Sequence, residues 1–164
     1  MNYFCYVKVS TKNKIIDVSI KMFNKNGYGA VTLFEIAKEM GISRGNLTYH
    51  FKDKDELLKV ISDEMWTKIM EERYRSRQLP SFQNLHKEVQ LYYKFQKEYS
   101  FIFLDYHVLK HGIIKQKFKE MTEQSIRDNE AALAFAINSG NMHPEPYPGI
   151  YKNIAFNTWM LTFF

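Results

Sequence analysis

The sequence predicts an all-α protein: an N-terminal three-helix unit containing a helix-turn-helix, followed by a larger helical bundle. Three observations predict it. The segment TLFEIAKEMGISRGNLTYHFKDKDELL, Thr32 to Leu58, divides itself into three short helices, each with its own start signal. Across the remaining chain, apolar residues recur at helical spacing, and Gly and Pro gather between the periodic stretches. The one run apolar enough for a buried strand, FIFLDYHVL, has helical neighbours, and a lone strand has no partner to pair with.

The elements follow in order. Residues 1–10 form an N-terminal arm, strand-like in composition. Helix one runs from Thr11 to Asn26, with Ile15, Ser19 and Met22 on one track and Ile16, Ile20 and Phe23 beside it. Thr32 and Glu35 make a capping box, in which the hydroxyl accepts an orphan amide while the carboxylate reaches back. Leu33, Ile36, Ala37 and Met40 then fall on one helical stripe. Gly41 ends that helix sharply, and Ser43 is an N-cap for a third helix from Arg44 to His50. Asp53 with Glu56 forms a second capping box. It opens a helix to about Arg77, carrying Leu57, Leu58, Ile61, Met65, Ile69 and Tyr74 inward and stopped by Pro80.

Ser81 caps the next helix, with Phe82, Leu85, Val89 and Tyr92 inward. Ser100 to Lys110 reads as one helix, apolar on nearly every side, and Gly112 breaks it. A long helix from Ile113 to Ser139 ends at Gly140. The stretch NMHPEPYPG holds three of the four prolines and forms a rigid loop. From Gly149 a last helix begins and stops at Phe164 in mid-pattern, with no terminating signal. We expect the chain to continue beyond Phe164, or a partner chain to cover this end. The division is 1–10 arm, 11–58 helix-turn-helix, and 59–164 bundle for effector binding and dimerisation.

The wording of residues 11 to 60 resembles the DNA-binding domain of the TetR/AcrR family of transcriptional regulators. The resemblance rests on Phe23 and Gly27, Thr32, Ile36 and Ala37, the turn Gly41-Ile42-Ser43, and then Gly45, Leu47, Tyr49, His50, Phe51, Lys54 and Leu57-Leu58. The chain departs from the family at Thr48, where many members carry an aromatic residue. The resemblance implies a homodimer whose last two helices form a four-helix interface, a small-molecule effector in the bundle, and a palindromic double-stranded operator.

Charge agrees with a phosphate-binding front end. Residues 1–60 hold 10 Lys/Arg against 6 Asp/Glu, whereas residues 61–164 hold 13 against 12. A single cysteine, Cys5, excludes an intrachain disulfide and suits a reducing cytoplasm. The start MNYFCYVKV lacks the basic and apolar regions of a signal peptide, and no run reaches the roughly 18 apolar residues of a membrane span.

Arg44, Asn46 and Thr48 lie near the start of helix three, the end that meets base edges in such modules. Arg can bridge guanine O6 and N7, Asn can pair with adenine, and Thr can touch a thymine methyl. Gly45 lets the backbone approach DNA. Tyr49, His50 and Lys54 can reach phosphates, as the matching family residues do, and Thr32 sets the amides of helix two against the backbone. Leu47 and Phe51 pin helix three to the core.

In the bundle, Tyr92, Phe103, Tyr106, Phe118, Met121 and Phe135 are expected to surround a pocket for a small apolar or amphipathic effector. Plain core packing is the alternative for the same residues. Signals from such a pocket would pass through helix four, the only element expected to join the two units. His107 and His111 stand four apart with Asp105 nearby, but no third ligand follows at a diagnostic spacing, so no metal site or cofactor is expected. No phosphate loop, nucleophile elbow or ordered catalytic set appears, which argues against an enzyme.

Overall fold

The chain folds by capping short helices and burying one stripe of each. The computed structural model describes residues 10–75 and 82–163, and every regular element among them is helical. Residues 1–9 of the expected arm, together with Arg77, Pro80 and Ser81, lie outside the described residues, as do the side chains of Phe82, Leu85 and Phe163; Ser10 belongs to the start of α1. The helices are α1 (Thr11–Asn26), α2 (Leu33–Glu39), α3 (Arg44–His50), α4 (Lys54–Arg75), α5 (Phe82–Glu98), α6 (Ser100–Leu104), α7 (Tyr106–Leu109), α8 (Gly112–Asn138) and α9 (Ile150–Phe163).

Helix α1 starts at Ser10, whose hydroxyl accepts from the Asn13 amide at 3.2 Å. It buries Ile15, Ile16, Ser19 and Phe23, and the buried Ser19 hydroxyl donates to the Ile15 carbonyl at 2.6 Å. At the start of α2 the Thr32 hydroxyl accepts from Glu35 N at 3.3 Å, while Thr32 N donates to the Glu35 carboxylate at 2.7 Å. The second box is a variant of the expected one. Asp53 caps by accepting from Glu56 N at 2.8 Å, but the Glu56 carboxylate reaches past it to Lys52 N at 2.7 Å.

Helix α4 buries Leu57, Leu58, Ile61, Met65, Trp66 and Ile69. It runs unbroken from the helix-turn-helix into the bundle, so a boundary after Leu58 falls inside a helix and not at a linker. Tyr74 and Val89, both expected inward, are 76% and 41% exposed. The inward row is Tyr92 and Phe95 on α5 and Tyr99 just beyond its end, at steps of three and four residues.

Two further expectations change. Ser100 to Lys110 is not one helix, because Asp105 leaves helical geometry (φ −81°, ψ 116°) and divides it into α6 and α7. The break ahead of α8 is made by His111, and Gly112 is already the first residue of that helix. After Gly140 (φ 74°), the proline loop is tied by Glu145. Its carboxylate accepts from Gly149 N and Tyr151 N, each at 3.2 Å, and so caps α9.

Helix α4 is also not the only bridge between the units. The Asn24 amide group donates to the Glu98 carbonyl at 2.8 Å, and Tyr28 N donates to Asp105 at 2.8 Å. Phe23 and Phe101 meet across the same seam with ring centroids 5.1 Å apart.

The Thr32 hydrogen bonds hold the Glu35 carboxyl below the usual carboxylate range. A carboxyl depressed on folding stabilises above its unfolded pKa, and that contribution is lost as pH falls through the folded value. Thr32→Ala is expected to lower stability by about 1 kcal/mol at neutral pH. In urea unfolding series, the gap between wild type and Glu35→Ala should close on acidification. A gap that stays constant below the ordinary carboxylate range would show that the box contributes nothing through its charge.

Candidate DNA-binding interface

The turn between α2 and α3 is built by backbone hydrogen bonds that require a left-handed residue. Gly41 has φ 66°, its amide bonds the Lys38 carbonyl at 3.1 Å, and Ile42 N bonds the Ala37 carbonyl at 3.0 Å. This pairing satisfies the last carbonyls of α2 and reverses the chain in a few residues. Ser43 then caps α3 by accepting from Asn46 N at 3.1 Å.

Helix α3 is fixed by two residues and leaves the others outward. Leu47 and Phe51 are 0% and 1% exposed, in the core with Ile36, Ala37 and Leu58. Arg44, Gly45, Asn46 and Tyr49 are exposed, Tyr49 by 85%. A Cβ at Gly45 would meet only the Ser43 hydroxyl, at 3.9 Å, so the space above it is open. The Thr48 hydroxyl donates inside the helix, to the carbonyls of Arg44 at 3.0 Å and Gly45 at 3.2 Å. Its proton is therefore spent, and Thr48 can meet a base only through its methyl group or as an acceptor. Half-buried His50 packs edge-on to Tyr49 with centroids 5.2 Å apart.

At the head of α2, Thr32 N and Oγ1 are both engaged by Glu35. The orphan amides left at that end are those of Leu33 and Phe34. Phe34 is 61% exposed beside them and was not foreseen as part of the face. Its signal in the sequence is negative: it is the apolar residue of α2 that falls off the Leu33, Ile36, Ala37, Met40 stripe.

Lys54 departs from its expected role. Its amine donates to the Tyr28 carbonyl and sits over the Tyr28 ring, 4.0 Å from the centroid, with the Phe23 ring 5.7 Å away. Burial pulls its pKa below the usual lysine range, against the attraction of Asp105 and Asp55. As first residue of α4, Lys54 lies against the turn that follows α1; that turn supplies the Tyr28 carbonyl and ring, and α1 itself supplies the Phe23 ring. The amine therefore lies against that turn at a half-buried position. Nearby, the Tyr28 hydroxyl donates to Asp55 at 3.3 Å, and His111 Nε2 is 3.2 Å from the same carboxylate oxygen.

The expected effector pocket is filled. Phe103 and Phe118 stand perpendicular at 5.7 Å, and Trp66 closes the group at 5.4 Å from Phe118 and 6.2 Å from Phe103. Tyr92 and Met121 are buried, and burial pushes the Tyr92 hydroxyl up to about 12. Tyr106 and Phe135 line nothing internal, being 62% and 48% exposed. A polar crevice beside Tyr92, Ser125 and Trp159 has an open volume of about 10 Å³, at the lower limit for a single water. A depression lined by Glu72, Lys87 and Lys94 is charged and open to solvent. The plain-packing alternative thus describes these aromatics better than the pocket does.

Asp105, His107 and His111 do not converge. The Asp105 carboxylate bonds the amides of Tyr28 and His107, and His111 turns to Asp55. Among the described residues, no group of three or more His, Cys, Asp or Glu could hold a metal ion, and no helix is long and apolar enough to cross a membrane.

A buried helix-turn-helix that holds an exposed polar helix ahead of a helical bundle defines a DNA-binding transcriptional regulator. The family model described as "Bacterial regulatory proteins, tetR family" matches residues 15–61. The HTH-type transcriptional regulator QacR of Staphylococcus aureus is 32% identical over 149 residues, covering 84% of this chain and 74% of that protein. The biofilm operon icaADBC HTH-type negative transcriptional regulator IcaR of Staphylococcus epidermidis is 40% identical over 48 residues, 29% of this chain and 26% of that protein. The fold is shared with a TetR-family transcriptional regulator from Marinobacter aquaeolei, at TM-score 0.77 and 22% identity, over 93% of this chain and 76% of that one. The chain belongs to the TetR family of bacterial transcriptional regulators.

The position of Lys54 separates two outcomes. Lys54→Ala is expected to lower the melting temperature and to leave the salt dependence of DNA binding unchanged. A salt slope reduced by about one unit would return Lys54 to the phosphates.

Proposed function

We propose that the protein is a homodimeric repressor that reads a palindromic operator through Arg44, Gly45, Asn46, Thr48, Tyr49 and His50, with Thr32 placing the head of α2 on the backbone. The observation that carries this is the division of α3: Leu47 and Phe51 are buried, while Arg44, Asn46 and Tyr49 stand free. Arg44 and Asn46 supply bidentate chemistry for guanine and adenine, and Tyr49 and His50 supply phosphate contacts. Repression is the sense in which the printed name of the IcaR relative describes that protein. Residues 1–10 serve as an arm, 11–58 as the DNA-reading unit and 59–164 as the bundle that dimerises.

Dimerisation is supported by an apolar face on α8 and α9. Phe156 and Met160, one turn apart on α9, are 46% and 42% exposed, and Phe135 on the neighbouring α8 is 48% exposed. Such a face resembles half of a divided core. Two-fold symmetry would present two α3 helices to successive major grooves, about 34–36 Å apart. A small apolar or amphipathic effector that favours another separation would weaken DNA binding by the factor by which DNA weakens effector binding. Because the Trp66–Phe103–Phe118 group is packed, the bundle must open to admit such an effector. The same packing favours a second reading, in which the bundle takes a protein partner or no effector.

Sequencing the DNA retained by the purified full-length protein tests the reading and is expected to return an inverted repeat. Arg44→Ala should then relax preference at one position of each half-site, at about 1–3 kcal/mol for a lost bidentate contact. Equal loss on specific and random DNA would remove Arg44 from base reading. Light scattering at micromolar concentration should give a dimer, and a monomer there would rule the dimer out. A thermal shift with small hydrophobic compounds supports the effector reading, and its absence across a broad panel favours the second.

A further inference from the structure

Thr48 offers DNA a chemistry that its neighbours on α3 do not. Its hydroxyl donates back onto the preceding turn, to the carbonyls of Arg44 at 3.0 Å and Gly45 at 3.2 Å. That bonding draws Oγ1 against the backbone. A threonine side chain sits in staggered wells, so the methyl group takes another well, clear of those two carbonyls. The hydroxyl has no proton left for a base, and the methyl is the group that remains to be read. Thr48 is also where the chain departs from its family, many members of which carry an aromatic residue there.

The surroundings allow a base to come close. Gly45 is three residues before Thr48 and therefore its neighbour on the helix surface. A Cβ at Gly45 would meet only the Ser43 hydroxyl, at 3.9 Å, so the surface beside Thr48 has an open step. Tyr49, one turn on from Gly45 and 85% exposed, bounds that step. Thr48 itself is half-buried, and a longer residue at position 45 would stand between it and the groove floor. Leu47 and Phe51, both buried, fix the rotation of the helix, so the step keeps its outward aspect.

We propose that Thr48 is a specificity-determining residue that selects a thymine in each half-site by apolar contact, the C5-methyl of the base seating over Gly45 against the Thr48 methyl. This rests on the DNA-binding reading proposed above. In the major groove thymine presents its O4 acceptor and its C5-methyl, whereas cytosine lacks the methyl and presents an N4 donor. A hydroxyl whose proton is held by the helix has nothing to give O4, but the methyl can displace water from the C5-methyl. Arg44 and Asn46 read hydrogen-bonding edges, and Thr48 adds a position read by shape and water exclusion. Its contribution is that of one methyl group and is smaller than a bidentate contact.

The test uses the full-length protein and synthetic duplexes of the half-site it selects, each thymine being replaced in turn by uracil. Uracil pairs as thymine does and differs from it only by the missing methyl, so the hydrogen-bonding edge of the groove is unchanged. Wild type is expected to bind about fourfold more weakly at one or more of these replacements, the scale of one methyl group kept from water. Thr48→Ser keeps the hydroxyl and its helix bonds but lacks the methyl, and should erase that loss at one thymine while binding its uracil duplex as tightly as wild type does. Thr48→Val keeps a methyl and lacks the hydroxyl, and should retain the preference for thymine there. A wild type indifferent to every uracil overturns the proposal, as does a Thr48→Ser that keeps every loss in full. A Thr48→Val that no longer prefers thymine overturns it too, by giving the contact to the hydroxyl. A wild type that selects no half-site overturns the DNA reading first, whereas one that selects a half-site and ignores uracil overturns only the methyl contact.

Discussion

Phe23 is wholly buried at the end of α1, with the Tyr28 and Phe101 rings each 5.1 Å from its own. Tyr28 belongs to the turn that leads to α2, and Phe101 belongs to the bundle. The ring is thus where the two halves share one core, and burying an aromatic of this size is among the largest single contributions to a small domain. The placement of α2, and through it of α3, depends on this seam staying closed. Polar groups then ring it: Asn24 on one side, and Tyr28 N with Asp105 on the other.

The same seam explains how a lysine expected to reach phosphates is also fastened by the fold. An ammonium beside two aromatic faces and a free carbonyl gains cation–π attraction and a hydrogen bond at once. Lys54 has both available from Tyr28, because α4 begins directly over the turn after α1. The cations left at the front are those without such a pocket, Arg44 among them. Phosphate affinity and structural fastening thus compete for the same residue type, and local geometry decides each case.

In the bundle, aromatic content does not by itself imply space. Phe103, Phe118 and Trp66 fill the centre by meeting at right angles, the arrangement their quadrupoles favour. Tyr106 and Phe135, on helices whose other faces already satisfy the core, are left at the surface. The apolar face that remains open is on α8 and α9, away from the DNA-reading unit.

The sequence alone determined what local chemistry determines. Thr32 with Glu35, Gly41 and Ser43 each act within a few residues, so the limits of α1, α2 and α3 were legible, and so was the burial of Leu47 and Phe51. The outward set of Arg44, Asn46 and Tyr49 followed, because a helix pinned at two positions has only one free face. Asp105 shows where that reasoning stops. In sequence it is one polar residue inside an apolar run, and helical continuity is the natural expectation. Its carboxylate caps His107 N locally, but it also meets Tyr28 N, 77 residues away, and that contact has no local signal. The contact of Lys54 with Tyr28, the aromatic packing of the bundle and the Asn24 hydrogen bond to Phe101 N are likewise contacts between segments far apart in the chain. Periodicity shows that a residue will be buried, but tertiary packing alone chooses its neighbours and whether any space is left between them.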